Sequence, residues 1–477
     1  MPLIPAKQRQ FAVEVVAELR SQGFAAYWAG GCVRDQLLHR IPWDYDVATD
    51  AKPDDVRRVF GRRRTLAIGA AFGVIAVLGP KEAGQVEVTT FRRDDAYSDG
   101  RHPDHVTFSS PEEDARRRDF TINGMFYDPV AEQVIDFVGG ADDLRAGIVR
   151  AIGAPTERFR EDKLRMLRAV RFAAIFDFQL ESATRAAIHE MAAEITIVSA
   201  ERIAAEIEIM LVHSSRARAV RLLDETGLLA AVLPEVGDVK YEVRSTKYET
   251  LPEVGGRGAE VGGRRILPLP KGEGTDNAND SNSWQRTLAI LDRLREPTFA
   301  LALAVLLGPK KGVGSHLWLD AGRVRPFHKM TPDPFFRARQ VGARWKLAKK
   351  DSERAAWLLE HWGALADARR MPWSRLQPLL ISDGIAELLA LHDVLAAIGE
   401  IDPAEIAYCR QRLALPPDEL NPPPLVTGAD LIALGIPRGK IYARILRELR
   451  AVQLDAQVQT QEEALRLAEK MWREQEE

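Results

Sequence analysis

The hydrophobic period of this chain changes once, near residue 150, and that change limits what it can fold into. Before it, short β-branched runs alternate with helical spacing. Residues 6–22 have the 3.6-residue period of an amphipathic helix closed by Gly23. "FAAYWAG" predicts a short buried strand running into a glycine turn, "VRDQLL" the opening of a helix, and "DYDVAT" a second strand. "FGVIAVLG" (72–79) and "QVEVTTF" (85–91) predict a hairpin pair, and "VIDFVGG" a further strand. From Glu157 onward, "EDKLRMLRAVRFAAIF", "ERIAAEIEIMLV" and "ARAVRLLDETGLL" keep the helical period almost without a break. The expected fold class is α+β: a small mixed sheet with helices, followed by an all-helical remainder.

At 477 residues the chain is too long for one core, and two to four domains are expected. Residues 237–283 carry the near-repeat "EVGGRGAEVGGRR" and then "LPLPKGEGTDNANDSNS", with little to bury. They read as a flexible insertion. Helical spacing resumes at Trp284, and "LPPDELNPPPLVTG" marks another boundary. The expected organisation is a head over 1–150, a helical neck over 151–236, the insertion, a helical body over 284–415 and a helical tail over 416–477. Two cysteines, Cys32 and Cys409, form neither a disulfide framework nor a zinc spacing, which suits a reducing cytoplasm. No run of about 18 apolar residues predicts a membrane span, and "MPLIPAKQRQF" lacks the pattern of a signal peptide. A net charge of −3 argues against a uniformly basic nucleic-acid binder but permits local patches. Of the arginine clusters, Arg57 to Arg64 reads as a solvated helix face.

The stretch "AGGCVRDQLLHRIPWDYDVAT" (29–49) concentrates the chemistry. On a strand, Asp44 and Asp46 would point to one face. Two carboxylates so placed can share two Mg²⁺ ions about 3.5–4 Å apart, as phosphoryl-transfer sites require. Mg²⁺ takes hard oxygen ligands, often one or two carboxylates plus substrate phosphates. Glu87 alternates with Val86 and Val88, so it faces away from the core and can approach the same site. Gly30 and Gly31 would let backbone N–H groups approach a phosphate, with Arg34 on the next turn to neutralise it. Alone, these letters also fit an ordinary glycine turn and a solvated loop.

They do not stand alone. "RRDFTING" follows at 117–124 and "RFREDKLRMLRAVRFA" at 158–173. Taken in order, GG-x-V-R-D, D-x-D-x-A-T, R-R-D-F-T-I-N and E-D-x-x-R resemble the class II tRNA nucleotidyltransferase family, which contains CCA-adding enzymes and bacterial poly(A) polymerases. The resemblance covers residues 24 to about 235 and continues more weakly through the tail. It implies a nucleotidyltransferase head. Asp44 and Asp46 become the metal-binding catalytic pair, and Gly31 and Arg34 triphosphate contacts. Arg118 and Asp119 match positions that recognise ribose and phosphates, and Glu161, Asp162 and Arg165 the base-reading motif, extended by Arg168 and Arg171. Asp136, Gly140 and Arg150 match a motif coupling head and neck, and Glu201 to Glu206 a supporting helix.

Helical spacing would make Glu161–Arg165 an i,i+4 pair and Asp162–Arg165 an i,i+3 pair. Asp162 can then accept from the amino group of cytosine or adenine while Arg165 donates to the ring nitrogen. Uracil and guanine reverse that pattern, at about 1–3 kcal/mol per unpaired buried group. The alternative is a surface salt bridge worth under about 1 kcal/mol. Two positions depart from the family: Lys163 replaces a usual Pro, and Gly124 a usual Ala, the latter expected to loosen local packing.

The loop over 91–120 is intact, and in this family such a loop is associated with switching from C to A addition. Asp95, Arg101 and Asp104 could shift the template arginine. In the tail, Lys440, Arg444 and Arg447 would form one basic helical face for the tRNA backbone. "GIPRGK" (435–440) fails the phosphate-loop pattern, His392-Asp393 lacks partner ligands for a metal site, and Trp345, Trp357 and Trp362 have core spacing. The resulting expectation is a cytoplasmic enzyme without a membrane partner. It adds or repairs the 3′-terminal CCA of tRNA from CTP and ATP with two Mg²⁺ ions. The alternatives are a poly(A) polymerase, an A-adding tRNA nucleotidyltransferase, and a non-catalytic RNA-binding protein with a similar head.

Overall fold

The computed structural model describes residues 3–69, 72–94, 106–236, 277–309, 334–437 and 439–474. Contacts divide the chain into two compact units, Met1–Asp238 and Val239–Glu477.

The first unit begins with α1 (Pro5–Ser21), β1 (Ala26–Ala29), α2 (Gly31–Leu37), β2 (Asp46–Thr49) and α3 (Pro53–Phe60). β3 (Thr65–Gly69), β4 (Val74–Leu78), β5 (Gln85–Thr90), β6 (Arg92–Asp94) and β7 (Val106–Phe108) follow. Next come α4 (Pro111–Arg116), β8 (Phe126–Asp128), β9 (Gln133–Ile135) and α5 (Gly140–Ala146). The main sheet has the order β3-β4-β5-β2-β1-β8-β9. It is mixed: β2 and β5 run parallel, and the other neighbours are antiparallel.

Side-chain alternation explains the layering, and both faces of the central strands are covered. Trp28, Val47 and Val88 lie on one face, all fully buried. α1 covers this side with Phe11, Ala12, Val15, Val16 and Leu19, and Trp28 Nε1 donates to the Ala12 carbonyl at 3.2 Å. On the other face, Ala29, Ala48, Phe91, Ala115 and Phe126 form a small core beside Asp46 and Glu87. The hairpin expected over 72–91 is present as β4 and β5. Strand β3 carried no readable signal: it pairs on one side only, and Leu66, Ala67 and Ile68 are exposed. Arg58 and Arg62 to Arg64 are exposed, as read from the sequence.

The helical part of this unit comprises α6 (Pro155–Glu161), α7 (Leu164–Ile175), α8 (Ser182–Met191), α9 (Ala200–Val212), α10 (Arg216–Glu225) and α11 (Leu228–Val232). Here the sequence reading needs correction. "RFREDKLRM" is not one helix; Asp162 is extended, with φ −147° and ψ 107°, between α6 and α7. Its carboxylate accepts from the Leu164 N–H at 3.0 Å, a local bond that competes with continuing the helix.

In the second unit all described elements are helical. Of the expected insertion, 237–276 lie outside the described residues, while 277–283 open the helix Asn277–Arg293. His392 is fully buried; its Nδ1 donates to the Leu388 carbonyl at 2.8 Å and its Nε2 accepts from the Leu365 N–H at 3.2 Å. Burial lowers its pKa to about 4, so it is a neutral core histidine. Trp345 and Trp362 are buried too. The C-terminal helices Lys440–Leu454 and Gln461–Arg473 enclose a cluster including Leu431, Ile436, Ile445, Leu449 and Ala464. Among the described residues, no helix is long and apolar enough to cross a membrane.

Candidate active site

The site is built where β1 ends and β2 begins. Gly30 has φ +77° and caps α2, a conformation that side-chain-bearing residues rarely adopt. A Cβ there would also stand 3.0 Å from Arg118 Nη1, so the turn and the guanidinium need the glycine together. Strand β2 begins at Asp46, and Asp44 lies exposed in the loop before it, so the two aspartates do not both belong to a strand as the sequence suggested. They remain electrostatic neighbours.

Asp46 pairs in register with Glu87 on the adjacent parallel strand, and both side chains project from the same face. The carboxyl of Asp46 is pushed up to about 7, first by burial and then by Asp44 and Glu87, with Arg118 opposing. Arg92, Arg117 and Arg118 line the other side of a cleft of about 220 Å³ that contains Asp46 and Glu87. Two of these arginines are held by Asp114, a carboxylate with no exposed surface. It accepts from Arg117 Nε and Nη2 at 2.9 and 2.7 Å and from Arg118 Nε and Nη2 at 3.2 and 2.9 Å. The Arg92 backbone N–H adds a fifth donor at 3.2 Å. Burial would raise the pKa of Asp114, but Arg118 and Arg117 hold it below the usual carboxylate range. The sequence reading missed Asp114, whose only signal was its spacing three and four residues before the two arginines.

Crowded hard-oxygen donors that face arginines across the cleft fit a divalent cation. Among the described residues, no group of three or more His, Cys, Asp or Glu is arranged to hold a metal by itself. The fit is therefore to a cation such as Mg²⁺, which takes its other ligands from water and phosphate.

The remaining residues form a chain of ion pairs from the head into α7. Arg34 is buried; its Nη1 donates to Asn123 Oδ1 at 2.7 Å, its Nε to Asp35 at 2.9 Å, and its guanidinium lies over Phe172 and Phe176. These are its partners within the protein. Asp119 accepts from Arg168 Nε and Nη2 at 2.9 and 2.7 Å and from Asn123 at 3.0 Å. Burial opposes ionisation, yet Arg168 and these bonds hold the Asp119 pKa down to about 2. Arg171 donates to Glu206 at 2.6 Å.

Glu161 accepts from Arg165 Nη1 at 2.6 Å, as the spacing predicted. Asp162 does not pair with Arg165. Its Oδ2 accepts from Arg202 Nη2 at 2.6 Å, because the break after α6 turns it toward α9. Arg202 was thus an overlooked partner. Below, Asp136 caps α5 through the N–H groups of Val138, Gly139 and Ala141. Arg150 pairs with Asp143, which accepts from Thr121 in the "TIN" turn at 2.7 Å. Gly124 does not loosen this turn: a Cβ there would meet Val138 Cγ2 at 2.7 Å and Ile152 Cδ1 at 2.9 Å, so the glycine is required by tight packing. Asp95, Arg101 and Asp104 lie outside the described residues, as does the side chain of Lys440. Arg444 and Arg447 are exposed on their helix, and Arg444 pairs with Glu448 at 3.0 Å.

Residues 26–150 match the family described as "Poly A polymerase head domain", and residues 177–239 match "Probable RNA and SrmB- binding site of polymerase A". The CCA-adding enzyme of Enterococcus faecalis is 45% identical over 206 residues, 43% of this chain and 50% of that protein. That of Anoxybacillus flavithermus is 40% identical over 249 residues, 52% of this chain and 61% of that protein. The chain thus spans about half to three fifths of the curated relatives it matches. The crystal structure of the Bacillus stearothermophilus CCA-adding enzyme in complex with CTP superposes with a TM-score of 0.66 at 27% identity, covering 98% of each chain.

Proposed function

We propose, from the premise that the chain belongs over residues 26–239 to the poly(A) polymerase and tRNA nucleotidyltransferase family, that it adds or repairs the 3′-terminal CCA of tRNA from CTP and ATP. The observation that carries this reading is the register of Asp46 with Glu87, beside Asp44 and opposite Arg118. In the reaction the 3′-hydroxyl oxygen of the RNA attacks the α-phosphorus of the nucleotide. A phosphodiester bond forms, and the bond to pyrophosphate breaks. Asp44 and Asp46 would hold Mg²⁺, which would supply positive charge to the attacking oxygen and the departing pyrophosphate. Arg118 and Arg117, fixed by Asp114, present guanidinium N–H groups to the triphosphate from the opposite wall. Glu87 keeps its carboxylate beside Asp46 and sharpens the demand for a cation. Gly30 and Gly31 hold the turn open for the same phosphates.

Base choice belongs in this reading to Asp162 and Arg165, each oriented by a separate partner, Arg202 and Glu161. Asp162 accepts from the amino group of C or A, and Arg165 donates to the ring nitrogen. Arg168 and Arg171, with Asp119, hold α7 in place for that task. The exposed Arg447 is a candidate contact for the tRNA backbone.

The test is incubation of the purified protein with tRNA ending before CCA, with labelled CTP, ATP or both. The expected product is two C and one A, followed by a stop. A single A on tRNA already ending in CC, without C addition, makes it an A-adding enzyme; long A tails make it a poly(A) polymerase. No incorporation at any Mg²⁺ concentration defeats the catalytic reading.

A further inference from the structure

The loop that carries Asp44 has a second side. Between Leu37, the last residue of α2, and Asp46, the first of β2, it exposes Trp43 to 90% and Ile41 to 75% of their full surface. Isolated exposed apolar residues need no explanation, but an almost wholly solvated tryptophan next to a charged groove does. That groove, of about 470 Å³, lies between the start of α1 and this loop and is lined by Arg9, Gln36, Arg40, Ile41 and Tyr45, with Pro5, Ala6 and Pro42. No acidic residue lines it, in a chain whose net charge is −3.

Its two cations are held without carboxylates. The Arg9 guanidinium lies 5.4 Å from the centroid of the Trp28 ring, and that of Arg40 4.9 Å from the Phe176 ring. Neither makes an ion pair with a described residue. Aromatic contact positions a guanidinium while leaving its N–H edge available to an anion. The loop is tied down as well: Gln8 Nε2 donates to the Trp43 carbonyl at 3.4 Å, and the Tyr45 ring packs 4.8 Å from that of Trp28.

We propose that this face is an RNA-strand site: Arg9 and Arg40 take backbone phosphates, and Trp43 stacks on an unpaired base next to them. The inference rests on the nucleotidyl-transfer reading in one respect, that an RNA end must reach Asp44. Trp43 is adjacent in sequence to Asp44, and Tyr45, on its other side, lines the groove. The strand that offers its 3′-hydroxyl to the carboxylates would thus be gripped upstream by the same loop. Positive charge tracking a backbone beside an aromatic platform is the general form of single-strand recognition.

The test uses full-length protein and tRNA ending before CCA, with dissociation constants from fluorescence anisotropy over a series of salt concentrations. Trp43→Ala should weaken binding by roughly five- to a hundredfold, and Trp43→Phe should recover most of it. The double variant Arg9→Gln/Arg40→Gln should reduce the magnitude of the logarithmic salt slope by about 1–2. In each variant the rate at saturating tRNA and the KM for CTP should stay at wild-type values. Unchanged affinity and salt slope would overturn the proposal, as would a loss of affinity equal in Trp43→Phe and Trp43→Ala. The two readings fail separately. A wild-type protein that binds tRNA through these residues yet never incorporates nucleotide defeats only the catalytic one. Normal CCA addition with unchanged binding in all variants defeats only this one.

Discussion

Asp162 accepts at Oδ2 from Arg202, forty residues along the chain, and not from the side chain of Arg165, three residues along. The carboxylate proposed to face the nucleotide is therefore aimed from α9, while the guanidinium beside it is aimed by Glu161. Arg202→Ala leaves Asp162 without its charged partner, and a hydrogen bond to a charged group contributes about 1.5–3 kcal/mol. The expected result is a fall in kcat/KM for CTP and ATP of roughly ten- to a hundredfold, with reduced discrimination against UTP. Competition between labelled nucleotides measures both.

Asp44→Asn and Asp46→Asn each remove a ligand from the proposed cation site. Loss of such electrostatic stabilisation is expected to lower kcat by about 10² to 10³ or more, measured as single-nucleotide incorporation. Because the Glu87 charge raises the Asp46 pKa, Glu87→Gln should move the acid limb of the pH–rate profile to lower pH.

The same carboxyl makes a statement about stability. Its folded pKa of about 7 lies above the unfolded value of 3.8, so the folded state holds the proton more tightly. The stabilisation this gives is complete below about pH 4 and is lost as pH rises to about 7. Without divalent cation, Asp46→Asn should therefore melt at a higher temperature than wild type at pH 8, and the difference should shrink towards pH 4. Adding Mg²⁺ should raise the melting temperature of wild type only.

Asp114 offers a test of the cleft wall. Asp114→Asn keeps the shape but removes the charge that Arg117 and Arg118 share. Breaking a buried pair of this kind costs about 3–5 kcal/mol. Inhibition by pyrophosphate should weaken more than inhibition by CMP, a difference that general destabilisation would not produce.

Gly124→Ala should be destabilising despite adding only a methyl group. Overpacking against Val138 and Ile152 costs about 1–3 kcal/mol, measurable as a lower denaturation midpoint.

Much of this was legible in the sequence, for physical reasons. Local composition carries strand signals, so β4 could be read from the β-branched run "FGVIAVLG", and β5 with Glu87 on its non-core side from the alternation in "QVEVTTF". The pair of Glu161 and Arg165 forms although Asp162 interrupts the helix between them. What could not be read was set by distant partners. Strand β3 is an edge defined by its neighbour, with no apolar alternation of its own. Arg34 is taken up by Asn123 and the rings of α7, and Asp162 by Arg202, through contacts between segments far apart in the chain. Asp114 becomes notable only once the arginines it holds are seen lining a cleft.

Two bonds, from Arg168 Nε and Nη2 to Asp119 Oδ2, join the residue after Arg118 to the helix bearing Arg165. If α7 reads the nucleotide as proposed, base choice and the anchoring of that helix to the head share these residues. A variant that repacked α7 to accept a different base would disturb the helix's anchorage to the head at the same time.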